Sequence, residues 1–193
     1  MVGISLLTLV PGVVGGSETY ARELTRALAR VGELEYRVFV PSIAADAGDG
    51  LPSRTVEAYH ASRSMGGRTL AMAAAAVRPG PLRAELELER LEALHFPLCV
   101  MLPRVDRPPA AATFLDVQHE FYPAFFSRAE RAYRKVVYGR SARRTRLVIA
   151  ISEHVKETLV ERLGVDPDRI RVIHLGVDGE RFSPDGRPRE PFL

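Results

Sequence analysis

The run Leu6-Leu7-Thr8-Leu9-Val10-Pro11-Gly12-Val13-Val14-Gly15-Gly16-Ser17-Glu18 constrains this chain more than any other feature. An apolar strand pattern, Gly3 to Val10, turns through Gly15 and Gly16 into an amphipathic helix pattern from Ser17 to Arg30. In that helix Tyr20, Ala21, Leu24, Ala27, Leu28 and Val31 recur at three- and four-residue steps, and Gly32 follows as a stop signal. A strand that turns through glycine into a helix presents bare N–H groups and the positive end of a helix dipole at one point, an arrangement suited to phosphate. The same glycines also suit a plain tight turn, so they speak to fold before function. Glu35 to Val40 reads as a second strand closed by Pro41. The opening is therefore a βαβ unit, which predicts a parallel sheet.

The alternation continues. Ser42 to Ser53 is a loop rich in Gly, Asp, Pro and Ser, and Arg54 to Tyr59 is a short strand. Met65 to Val77 is an alanine-rich helix stopped by Pro79-Gly80-Pro81, and Leu82 to Leu91 a further helix. Ala93 to Phe96 and Ala111 to Leu115 are strands on either side of the proline-broken loop Arg104 to Pro109. Ser127 to Arg144 is a long basic helix, Arg146 to Ile151 a buried strand, Ser152 to Leu163 a helix with Ser152 as its N-cap, and Ile170 to His174 a last strand. The expectation is a doubly wound, mostly parallel Rossmann-like α/β sheet with helices on both faces, forming a domain over residues 1–180. Residues 181–193 are proline- and charge-rich and read as a linker toward a second domain.

Composition removes several classes. Apolar residues make up 46% of 193 residues, enough for one substantial core. The single cysteine, Cys99, rules out an intrachain disulfide and a cysteine-rich zinc site, and its apolar surroundings read as core. No stretch is long and apolar enough to span a bilayer, and the N-terminus lacks a basic leader, which favours the cytoplasm. A net charge of +3 with no docking motif or aromatic platform argues against a nucleic-acid partner. An NAD(P) oxidoreductase needs Gly-x-Gly-x-x-Gly and an acid after the second strand, whereas this chain has Gly12-Val13-Val14-Gly15-Gly16 and Pro41-Ser42.

Further segments complete a pattern: Leu94-His95-Phe96-Pro97; Thr113-Phe114-Leu115-Asp116-Val117-Gln118-His119-Glu120-Phe121-Tyr122-Pro123; Val148-Ile149-Ala150-Ile151-Ser152-Glu153-His154; and Arg169-Ile170-Arg171-Val172-Ile173-His174-Leu175-Gly176-Val177-Asp178 with Phe182 and Pro184. Together with the glycine pair, in this order, they resemble the N-terminal, acceptor-side half of a group 1 family retaining nucleotide-sugar glycosyltransferase of the two-Rossmann GT-B fold. The resemblance implies an acceptor domain facing a donor-binding domain across a cleft. It implies transfer of a hexose, mannose among the options, to a glycan or lipid-linked acceptor. An isolated N-terminal half is expected to be inactive. No cofactor or metal is implied, since the nucleotide sugar is a co-substrate.

By the same resemblance Gly15, Gly16 and Ser17 approach the donor phosphates. Glu18, His95 and Tyr122 fall at the acceptor cleft, and Gly176 and Asp178 lead toward the second domain. Capping of the helix dipole also accounts for Glu18, and a buried hydrogen-bonded core histidine accounts for His95. Asp116 and His119 follow a strand whose C-terminal end should face the ligand crevice, and they are the catalytic-site candidates. This chain has Leu115 where family members commonly carry a histidine. Either His119 supplies the polar contact, or the site uses backbone and Asp116. The basic stretch 128–146 suits a solvated helix face, with Ala129, Ala132, Tyr133, Val136 and Val137 as its apolar side, or peripheral contact with an anionic membrane. A stand-alone sugar- or nucleotide-binding module is the alternative function.

Overall fold

A computed structural model describes residues 1–179; the expected linker at 181–193, with Phe182 and Pro184, lies outside them. Seven strands form one sheet: β1 (Val2–Ser5), β2 (Tyr36–Pro41), β3 (Ser53–Val56), β4 (Ala93–Phe96), β5 (Ala110–Phe114), β6 (Leu147–Ala150) and β7 (Ile170–Val172). Their spatial order is β3-β2-β1-β4-β5-β6-β7, and every neighbouring pair is parallel. β1 is central: Ile4 pairs with Val38 of β2 on one side and His95 of β4 on the other. The chain first winds outward from β1 to β3, then returns to β4 and winds the other way. The order reverses between β1 and β4, the place where open α/β sheets leave a crevice at their C-terminal strand ends.

The helices of the crossover connections lie in two layers, one on each face of the sheet. Helix α1 (Gly16–Val31) packs on one face, in a core cluster with Ile4, Val38, Val40 and Ala21. The opposite cluster takes Phe39, Leu94, Phe96 and Phe114 together with Ala75, Leu82, Ala142 and Leu159. Those last four come from α2 (Met65–Val77), α3 (Pro79–Glu85), α5 (Arg128–Arg144) and α6 (Glu153–Leu163). Strand β2 shows the division residue by residue: Val38 and Val40 face α1 while Phe39 faces away, as the period of two requires.

Several boundaries differ from the sequence expectation. β1 ends at Ser5, and Leu6 to Val10 leave the sheet in turns, with the Leu9 N–H donating to the Leu6 carbonyl at 2.8 Å. Leu6, Leu7, Leu9 and Val10 are nonetheless all buried, so their hydrophobicity reflects burial, not strand pairing. Pro79 starts α3 instead of only stopping α2, at the first-turn position where a missing N–H costs nothing. A short helix, α4 (Gln118–Phe121), occupies a segment that carried no helical pattern. In α5 the side turned inward is Gly139, Ser141 and Ala142 with half-buried Tyr133, Val137 and Tyr138, while Ala129, Ala132 and Val136 are exposed. Val31, at the end of α1, is 68% exposed and not part of its apolar face.

Candidate functional site

The glycine turn sits at the C-terminal edge of the sheet, where β1 gives way to α1. Gly12 and Gly15 have φ of +73° and +54°, values that side chains resist, so glycine is required there by backbone conformation alone. A Cβ placed at Gly16 would meet no atom within 4 Å. Ser17 and Glu18 donate their N–H groups to the carbonyls of Val14 and Gly15 at 3.2 and 2.9 Å. No acceptor is found among the described residues for the N–H groups of Gly15 and Gly16, and both residues are exposed. The helix therefore begins with unspent donors on an exposed turn.

Glu18 holds this turn from behind. Its carboxylate accepts from the Gly12 N–H at 2.8 Å and from Arg22 Nε at 3.1 Å. The Gly12 hydrogen bond is the main cause that lowers its pKa from the ordinary carboxylate value, with Arg22 adding to it. Arg22 is itself fixed by Asp46 and Asp49 at 3.0 and 3.3 Å. Glu18 is thus spent on loop geometry and does not line the neighbouring cavity.

That cavity, of about 420 Å³, is built by segments that follow four strands. Thr8, Val10, Val13, Val14, Gly15 and Ser17 come from the β1–α1 connection, and Tyr59 follows β3. Leu98, Cys99 and Val100 follow β4, and Asp116 follows β5. Met65, Arg68 and Met72 of α2 and Glu130, Tyr133, Arg134 and Tyr138 of α5 close the wall. Asp116 Oδ1 accepts from the Gln118 N–H at 3.2 Å and lies 3.9 Å from Arg134 Nη1, with its side chain 42% exposed. Arg134 also stacks over Phe126 at 4.7 Å. Ser127 caps α5 in a reciprocal pair with Glu130, whose pKa is lowered chiefly by the Ser127 N–H. Burial pushes the Cys99 thiol up to about 12, so it is a neutral, unreactive part of the floor.

The other sequence candidates lie elsewhere. His119 is buried, its side chain 1% exposed, and neither ring nitrogen has a hydrogen-bond partner. Its ring meets Tyr138 and Phe126 edge-on, with centroids 5.5 and 6.4 Å away, and of these rings Tyr138 lines the cavity while His119 does not. Desolvation lowers its pKa, and the nearby Glu120 carboxylate, 3.6 Å away, offsets part of that. His95 packs under α1: its Nε2 is 2.8 Å from Thr113 Oγ1, which also accepts from the Tyr20 hydroxyl at 3.3 Å. Desolvation takes its pKa down to about 4, leaving a neutral ring that can accept from Thr113. Tyr122 is 58% exposed and stacks on Phe125, away from the cavity. Gly176 and Asp178 follow β7 in an exposed stretch without regular secondary structure. Among the described residues no cluster of three His, Cys, Asp or Glu side chains is placed to hold a metal.

The structure thus brings Gly15, Ser17 and Asp116 to one cavity and leaves Gly16, Glu18, His95, His119, Tyr122, Gly176 and Asp178 out of its lining, Gly16 being the exposed neighbour of Gly15 at its edge. It adds Arg68, Arg134, Tyr59 and Tyr133, which the sequence pattern did not single out as a site. One signal was available for Arg68: it sits in the first turn of α2, after Gly66 and Gly67, where a cation opposes the helix dipole.

A glycine turn with free amides at a strand-order reversal is shared by many α/β proteins, and comparison with known families decides between them. The model of Glycosyltransferase Family 4 matches residues 14–181, most of the chain. The chain belongs to Glycosyltransferase Family 4. No curated protein matches this family 4 domain. Among solved structures, a glycosyltransferase from Rickettsia africae is similar at 15% identity and a TM-score of 0.53, over 97% of this chain and 46% of that one. WaaG, a glycosyltransferase involved in lipopolysaccharide biosynthesis, is similar at 16% identity and a TM-score of 0.58, over 97% of this chain and 48% of that one. At such identities the likeness concerns fold: an α/β Rossmann-like domain matching one half of a GT-B glycosyltransferase, consistent with the N-terminal half. The family 4 domain spans about half the length of these two structures. No helix among the described residues is long and apolar enough to cross a membrane.

Proposed function

We propose that this family 4 domain forms the acceptor side of a glycosyltransferase that moves a hexose from a nucleotide sugar to an acceptor hydroxyl with retention of configuration. The observation that carries the proposal is the pair of unspent N–H groups at Gly15 and Gly16, opening beside the cavity that holds Asp116. Oriented amides at a helix start can stabilise the charge that gathers on a leaving phosphate, and they need no reorganisation to do so. Ser17 adds a hydroxyl to the same edge, and Asp116 offers a carboxylate to the acceptor side. His119 supports the wall through Tyr138 and does not itself reach the reacting atoms. A second, donor-binding lobe reached beyond Gly176 and Asp178 completes the site, and the domain alone does not turn over. No metal or organic cofactor has a part in the proposal.

Titrating the chain with UDP-glucose and GDP-mannose, followed by the backbone amide signals of Gly15, Gly16 and Ser17, tests this. Saturable shifts at those amides are expected with at least one donor. Silence at all of them, with either nucleotide sugar, refutes the donor assignment.

An independent observation favours peripheral contact with an anionic membrane. Phe121, Tyr122 and Phe125 are 41, 58 and 81% exposed, directly ahead of the exposed Arg128, Arg131 and Lys135 of α5. Exposed aromatics beside cations suit a headgroup layer. Binding to vesicles containing phosphatidylglycerol, and not to pure phosphatidylcholine vesicles, is the expected result; equal binding to both counts against it.

A further inference from the structure

Arg68 is the anomaly of the cavity. Its Nε is buried and has no hydrogen-bond partner, and among the described residues no carboxylate lies within 4.0 Å of its guanidinium. A buried guanidinium nitrogen without an acceptor is costly, because a charged donor has lost water and gained nothing. Its position compounds the cost. Arg68 stands in the first turn of α2, a turn with no acid in it, so the helix dipole opposes its charge. Two local rules are broken by one residue that lines a cavity, and such breaks collect where a ligand supplies what the chain does not.

Its surroundings identify the missing partner. Arg134 lines the same wall from α5, and both arginines act on the same neighbours, Glu130 and Tyr133. The two acids at hand are already engaged. Glu130 is held by the Ser127 N–H and hydroxyl at 3.0 and 2.9 Å, and Asp116 by the Gln118 N–H with Arg134 at its edge. Arg134 is therefore partly matched and Arg68 is not. A guanidinium pairs best with an oxyanion, to which its planar fork can donate more than one N–H.

We propose that Arg68, assisted by Arg134, forms a second anion site in this cavity, distinct from the glycine turn, and that it receives a phosphate or carboxylate group carried by the acceptor sugar. This rests on the glycosyltransferase proposal above and narrows it to oxyanion-bearing acceptors. The donor phosphates remain at the amides of Gly15 and Gly16, so the cavity handles two anions with separate hardware.

The test uses the whole chain with glucose 6-phosphate, glucuronate, glucose and UDP as probes at fixed ionic strength, read by backbone amide shifts. Glucose 6-phosphate, glucuronate or both shift Arg68 and its neighbours in α2 saturably, and glucose does not; which of the two binds separates phosphate from carboxylate. Arg68→Gln weakens the bound anionic sugar at least about tenfold, as loss of a charge-assisted pair implies, and leaves the UDP affinity unchanged. Because the unpaired cation opposes the α2 dipole, R68Q has a thermal midpoint equal to or above that of the parent. Should it fail to fold, Arg68→Lys, which keeps the charge and loses the Nε donor, takes its place with a smaller loss. Arg30→Gln, an exposed cation in the last turn of α1, leaves the anionic sugar bound as before. The proposal is overturned if neither anionic sugar binds, if glucose binds equally well, or if the arginine variant leaves their affinity intact. It is overturned also if UDP weakens in parallel, since Arg68 would then belong to the donor. Absence of UDP shifts at Gly15 and Gly16 with the Arg68-dependent anion intact counts against the donor assignment alone and leaves the second anion site standing.

Discussion

Gly15 and Gly16 are neighbours in sequence, yet the structure gives them opposite sensitivities, and a pair of substitutions separates fold from function. Gly15 has φ of +54° and ψ of −130°, outside the comfortable regions for a side chain. Gly15→Ala should therefore cost on the order of 1–3 kcal/mol of folding stability through backbone strain. Gly16 is the first residue of α1, and a Cβ there meets nothing within 4 Å. Gly16→Val should leave folding stability within about 0.5 kcal/mol of the parent, as for a surface change that touches nothing. Its side chain, however, would occupy the open space next to the free N–H groups that the proposal gives to phosphate. A phosphate held there by two charge-assisted hydrogen bonds would lose roughly 3 kcal/mol or more, a drop of about a hundredfold in affinity. Chemical denaturation gives the first quantity, and titration with the nucleotide sugar that binds the parent gives the second. If Gly16→Val binds that donor as tightly as the parent while folding normally, the turn is only a connection between β1 and α1 and the proposed phosphate site is wrong.

Two further outcomes follow from the histidines. His95 has a pKa of about 4 in the fold against an ordinary 6.5, so the unfolded chain binds the extra proton. The stability this provides is complete above about pH 6.5 and is lost as pH falls toward 4, by roughly 3 kcal/mol at most. Urea titrations from pH 7 to 4 should show that slope, and His95→Gln, which can keep a contact to Thr113, should flatten it; an unchanged slope refutes the assignment. His119 contributes two buried nitrogens with no partner. His119→Leu should be as stable as the parent or more so by about 1 kcal/mol, with donor affinity unchanged; a lost donor interaction would place the imidazole in the cavity after all.

The sequence carried most of the fold because its local signals agreed with its topology. Met65 to Val77 and Ala93 to Phe96 are bounded as the pattern predicts, the first by Ser64, whose side chain accepts from the Gly67 N–H. The misread stretch, Leu6 to Val10, shows the limit of periodicity: a loop wedged into the core at the strand ends is as apolar as a strand. The site was less legible. Gly15, Ser17 and Asp116 follow strand ends, and that rule alone brings them to the crevice. Which face each histidine takes depends on long-range packing that no local pattern records. Thr113 and Tyr20 enclose His95, and Tyr138 and Phe126 enclose His119. Arg68 escaped because α2 reads as an alanine-rich helix, and only the return from β3 toward β4 brings its first turn over the cavity.

The distribution of donors around that cavity also bears on why one lobe should not suffice. The amides of Gly15 and Gly16 are exposed, and the side chain of Asp116 is 42% exposed, so an anion seated there keeps much of its water. Electrostatic stabilisation is weak where water competes and strong where it is excluded. Arg68 is different, because its Nε has already lost water without gaining a partner. An anionic acceptor would therefore gain from a preformed, desolvated contact on this domain alone, while a donor phosphate would gain its full stabilisation only when a facing surface shuts out solvent. The same domain would then hold an anionic acceptor firmly before closure and a donor phosphate measurably but weakly until closure excludes the water around it.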